Sequence, residues 1–103
     1  MAENMQCQFA NWYRSENSHW TAAARRYLED LPDLVDDAVQ DGWINGDRQL
    51  QKQESKVADL WLDSQHGSEH ALDQLRGYMF RVVRNAACDL RRKELGQWEE
   101  LRN

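Results

Sequence analysis

The stretch LDQLRGYMFRVVRNAACDLRRK, residues 72–93, decides the fold class. Leu72, Leu75, Met79, Val82, Val83, Ala86 and Leu90 recur at helical spacing and fall on one broad face. Arg81, Arg84, Asn85, Cys88, Arg91 and Arg92 fall on the other. This is an amphipathic helix with an apolar stripe wide enough to enter a core. His66-Gly67 sets its start, and Ser68 is placed to cap it. Gly96 is expected to end or weaken it, with Trp98 and Leu101 beyond.

Upstream the same period recurs. Residues 1–17 are mixed polar and aromatic, with Phe9, Trp12 and Tyr13, and suit either a short helix or a loose arm. Ser18 is a suitable cap for a helix through Trp20, Ala22, Ala24, Tyr27 and Leu28. Pro32 and Asp33 suit the first turn of another, carried by Leu31, Leu34, Val35, Ala38, Val39 and Trp43. Asn45-Gly46 predicts a break, with Asp47 capping a third helix that runs to Ser64. That segment is polar through Gln53 and Glu54 and becomes apolar at Val57, Ala58, Leu60, Trp61 and Leu62. The expectation is one all-α domain over residues 1–103, a small bundle of about four helices, with 1–17 as arm or short helix. One Pro and five Gly in 103 residues are too few turn formers for an all-β domain.

Composition narrows the class further. The chain is 41% hydrophobic and 30% charged, as in an ordinary globular domain rather than a disordered chain. No apolar run reaches the ~20 residues of a membrane span, and the Met1-Ala2-Glu3-Asn4 start lacks a signal-peptide pattern. A cytoplasmic setting is expected. Cys7 and Cys88 are far apart and form no CxxC pair, which fits two reduced thiols. His66 and His70 are four apart, near Glu69 and Asp73. Gly67 interrupts the helix and no third ligand is indicated, so no metal and no cofactor is expected. No nucleophilic arrangement is visible around Ser18, His19 and Asp30, and no enzyme is expected. The five tryptophans are read as core and interface anchors.

The net charge of −5 hides a division. Residues 29–41 carry six acids and no base; residues 76–93 carry six bases and one acid, Asp89. Local charge governs what a surface attracts, so the two segments suit different partners. The basic face presents guanidinium groups and Asn85 to phosphates and base edges. Tyr78 and Phe80 flank it and suit either base stacking or the core.

Residues 78–93 also resemble the basic helix of region 2 in sigma-70 family factors, particularly the small extracytoplasmic-function group. That run reads approximately W-L-Y-R-I-A-R-N-L-A-I-D-L-L-R-R. Arg81, Arg84, Asn85, Ala87, Asp89, Leu90 and Arg92 keep its spacing. Upstream, residues 36–41 (Asp36, Asp37, Ala38, Val39, Gln40, Asp41) resemble its E-D-L-V-Q-E motif, with Trp43 near the usual Phe. The resemblance spans roughly residues 20–95, and the region-2-like part is taken as 18–95. It implies that Asp36, Asp37, Gln40 and Asp41 meet the clamp helices of the RNA polymerase largest subunit. It implies that Tyr78, Arg81, Arg84, Asn85, Arg91 and Arg92 meet promoter DNA at a melted −10 element. Tyr78 stands where the family has a melting Trp, and the 37 residues 41–77 exceed the usual spacing, a stretch that normally holds the base-capturing loop. The expected protein is a region 2 without region 4, working with a separate subunit that carries a second sigma domain, or occupying polymerase without directing it. The other class of reading is a helical protein–protein adaptor or homodimer whose basic helix is only a solvated face.

Overall fold

The structure is a computed structural model that describes residues 2–52 and 55–102, with side chains described for 5–52 and 55–96. Among the described residues five α-helices follow in order, against about four expected: α1 Ala2–Ser15, α2 Asn17–Tyr27, α3 Val35–Gln51, α4 Lys56–Gln65 and α5 Glu69–Arg102. A 3-10 turn, Pro32–Leu34, leads into α3. There is no strand among the described residues, so the expected all-α class holds. Gln53 and Glu54, and the side chains of Trp98 and Leu101, lie outside what is described.

Residues 2–15 are helical, because Met5, Phe9, Trp12 and Tyr13 repeat at i, i+4, i+7 and i+8 and turn one stripe inward. The helix stops at Glu16, whose N–H reaches the carbonyls of Trp12 and Tyr13, both at 3.2 Å. α2 starts one residue later, so Glu16 is the whole joint and Ser18 lies inside the helix rather than at its cap. α4 begins at Ser55, whose Oγ accepts the Ala58 N–H at 3.0 Å. It ends at Gln65 with His66 as its cap, and Gly67 beyond, at a φ of +95°, makes the turn that side chains resist. Ser68 Oγ then accepts the Ala71 N–H at 3.1 Å and starts α5, as expected. α5 has 34 residues, about 50 Å of helix, against a longest molecular extent of 54 Å. It continues through Gly96 instead of ending there.

The other correction is at Asn45-Gly46. No break occurs; α3 runs through both and ends at Gln51. The buried positions Val35, Ala38, Gly42, Gly46 and Leu50 form one helical stripe, and the two glycines bring α3 close to α5. Asp47 caps nothing: it accepts from Gln6 Nε2 at 3.0 Å and from Gln51 Nε2 at 2.9 Å, tying α1 to α3. The 41–77 stretch contains the rest of α3 and all of α4, whose Val57, Leu60 and Trp61 enter the core.

The core is aromatic and packs around α5. Trp20 is fully buried, stacked on Tyr13 at 5.0 Å and edge-on to Phe80 at 5.2 Å. Its indole Nε1 donates to the Tyr13 carbonyl at 2.8 Å. The Tyr13 hydroxyl donates to the Val39 carbonyl at 2.7 Å, and burial pushes its phenol well above the usual range. Phe9 packs edge-on to Trp61 at 5.4 Å and stacks on Trp43 at 5.6 Å. From α5, Leu75, Met79 and Val83 are fully buried beneath them.

The two packing glycines predict different outcomes. A Cβ at Gly42 stands 2.7 Å from Val83 Cγ2 and 3.0 Å from the Tyr13 hydroxyl. Val83 is β-branched and stiff, so the strain is not relieved. Gly42→Ala is expected to cost about 1–3 kcal/mol of overpacking, exceeding the ~1 kcal/mol gained in helix propensity. At Gly46 the nearest atom is the Met79 Cε at 2.6 Å, the end of a flexible chain. Gly46→Ala should therefore be near neutral. Urea denaturation of both variants checks the contrast; equal midpoints contradict it.

Candidate nucleic-acid interface

Successive residues on α5 are about 100° apart, so its core-facing stripe fixes what lies outward. Arg81, Cys88 and Arg92 form the outer ridge, with Arg84 on the α2 side and Asn85 on the other. Arg81, Arg84, Asn85 and Arg92 are exposed; Cys88 and Arg91 are half-buried. Among the described residues no carboxylate pairs with Arg81 or Arg84, whereas Arg92 reaches Asp89 at 3.4 Å. Arg91 is held by Asp30, the carboxylate of the α2–α3 connection. That guanidinium, through its hydrogen bond first, holds the Asp30 carboxyl below the usual range. Arg91 is thus the most compromised of the expected DNA-facing residues.

Tyr78 and Phe80 separate. Phe80 leans on Trp20 and is half-buried, with an edge toward α2. Tyr78 is half-buried on the other side, in a cleft of about 310 Å³ with Lys56, Gln74, Gly77 and Arg81. Arg81 also lines a cleft of about 430 Å³ between α2 and α5, together with His19, Ala22, Ala23, Arg26, Tyr27, Phe80 and Arg84. Arg26 and Tyr27, absent from the expected set, continue into the next cleft with Glu29, Asp30, Cys88, Arg91, Arg92 and Leu95.

The acidic residues sit on α3. Asp37 and Gln40 are exposed on its outer side, with Ile44 40% exposed between them and Arg48. Asp36 and Gln40 line a cleft of about 300 Å³ against α1, floored by Tyr13, Val39 and Trp43. Asp41 is half-buried and turns to the opposite flank, beside Ile44, Arg48 and Lys93. Four residues adjacent in sequence therefore serve two flanks of one helix, with Asp37 between. Ile44 is an exposed apolar side chain that charge reading alone does not reveal.

One further ion pair holds the frame. Glu16, at the α1–α2 joint, receives Arg76 Nη2 of α5 at 2.8 Å, and His19 Nδ1 also contacts it. The Arg76 hydrogen bond depresses the Glu16 carboxyl, burial opposes this, and His19 adds to the lowering. A depressed acid stabilises fully above the unfolded value of about 4.3 and loses that contribution as pH falls through its folded value. Glu16→Gln should cost about 1 kcal/mol at pH 7 and flatten the fall in melting temperature on acidification below about pH 4.3. Parallel acid limbs for both proteins contradict this.

Cys7 and Cys88 are both free thiols, on α1 and α5. Among the described residues no three side chains converge as metal ligands. No described helix is long and apolar enough to cross a membrane. No family model, curated protein or solved structure matches the chain.

Proposed function

We propose that this chain is a sigma region 2-like transcription protein, which docks on RNA polymerase through α3 and holds melted promoter DNA on α5. The observation that carries the reading is the separation of charge on one frame. Exposed Arg81 and Arg84, which no carboxylate of the described residues pairs, stand on the outer side of α5, while Asp37 and Gln40 stand on the outer side of α3. The α5 run and the α3 motif keep the spacing that the family resemblance rests on. An acidic face bordered by the exposed Ile44 suits a basic partner helix. Guanidinium groups beside accessible aromatic rings suit phosphates and unstacked bases.

The division of charge also predicts context dependence. At a net charge of −5, the isolated chain repels the phosphates that α5 attracts. Binding to DNA alone should be weak, steeply salt-dependent, and stronger for bubble than for duplex probes. It should tighten once polymerase covers α3. Replacing one phosphate-contacting Arg should lower the salt slope by about one unit. Fluorescence anisotropy with and without polymerase, using wild type and an Arg81→Ala/Arg84→Ala double variant, tests the reading. Equal affinities throughout make the basic helix a solvated surface and favour the adaptor or homodimer.

A further inference from the structure

We infer that the cleft between α2 and α5 is a nucleotide-binding site, in which Tyr27 and Phe80 flank a base while Arg26, Arg81 and Arg84 hold its phosphates. The inference deepens the proposed function and rests on it for the source of the nucleotide, an unpaired residue of a single strand.

The cleft has the size and chemistry for this ligand. Its volume of about 430 Å³ lies within the range of small-molecule sites. Ala22 and Ala23 have no bulk to fill its floor. Tyr27 is 38% exposed, so its ring is open to a ligand in the cleft. Phe80 is fixed by its edge contact with Trp20, so one aromatic wall is rigid before any ligand arrives.

Its electrostatics select an anion. Among the described residues three arginines line it, and no carboxylate does. Glu16 lies behind His19 and is already engaged by Arg76. The neighbouring cleft differs: Glu29 and Asp30 line it, and Asp30 neutralises Arg91. The Tyr78 cleft has two cations and one aromatic side chain, Tyr78. Of these three, the α2–α5 cleft alone combines two aromatic side chains with a lining free of acids among the described residues. Arg26 and Arg81 come from different helices, so the phosphate sites exist only in the folded bundle.

The test uses the full chain and two probes, a dye-labelled single-stranded deoxyoligonucleotide and free ATP. Wild type, Arg26→Ala, Tyr27→Ala and Tyr27→Phe are compared by anisotropy and by competition, with circular dichroism as the folding control. Arg26 and Tyr27 are exposed, so both variants keep the core intact. Loss of stacking at Tyr27→Ala should weaken oligonucleotide binding about tenfold or more, with recovery in Tyr27→Phe. Arg26→Ala should weaken it and lower the salt slope. Competition by ATP at comparable affinity assigns the site to free nucleotides; oligonucleotide preference assigns it to a strand. Unchanged binding of both probes in Arg26→Ala and Tyr27→Ala overturns the inference. If Arg81→Ala/Arg84→Ala still abolishes binding in that case, DNA docks on the ridge and the proposed function stands. Wild type that binds neither probe at low salt overturns the site, and polymerase capture then judges the function separately.

Discussion

Trp20→Ala is expected to lower the melting temperature by about 15–30 °C, or to abolish cooperative unfolding. Trp20 has no exposed surface and touches Trp12, Tyr13 and Phe80. Removing a buried Trp costs about 3–5 kcal/mol, against a total of about 5–15 kcal/mol for a domain of this size. The Tyr13 carbonyl also loses its indole donor, which adds to the cost. Leu75→Ala, at an equally buried position on α5, should cost about 2–5 kcal/mol. Thermal unfolding followed by circular dichroism measures both. A drop under about 5 °C for Trp20→Ala contradicts the central place given to that side chain.

Asp37→Arg is expected to abolish capture of RNA polymerase from native host extract without changing the circular dichroism spectrum. Asp37 is exposed beside Gln40 and Ile44, so the folded chain tolerates the change. A like-charge contact at an interface costs several kcal/mol, about 100-fold or more in affinity. Ile44→Asp should weaken capture through the apolar border of the same face. Capture that is undiminished in both variants removes α3 from the interface. Failure of wild type to capture polymerase at low salt removes the main support for the sigma-like role.

Much of the bundle is legible in sequence because its signals are local. The α5 stripe from Leu72 to Leu90 shows its period directly, and the Gly67 turn with Ser68 capping is a short-range pattern. Asn45-Gly46 misleads for a physical reason. The dipeptide favours turns in an isolated chain, but Gly46 continues the buried stripe Val35, Ala38, Gly42, Gly46, Leu50, where the absent side chain makes room for Met79. Reading glycine as a small core residue recovers α3 in full. Arg26 and Tyr27 were legible only as the basic end of α2, a favourable place for cations near a helix C-terminus. Their meeting with Arg81 and Arg84 depends on how α2 crosses α5, which no local spacing encodes. Likewise, the diversion of Arg91 to Asp30 spans 61 residues.

The length of α5 has a consequence for molecular recognition. One unbroken helix carries both the buried Leu75, Met79 and Val83 and the outward Arg81, Arg84 and Arg92. Its rise of about 1.5 Å per residue places Arg81 and Arg92 about 16 Å apart along the axis. The buried side prevents the backbone from altering that interval. On the proposed reading the helix behaves as a ruler, to which a flexible polyanion would fit its own spacing. The backbone therefore surrenders little conformational entropy on association, and the ordering falls on the ligand. Chains already unstacked and extensible meet that demand more easily than stiff duplex.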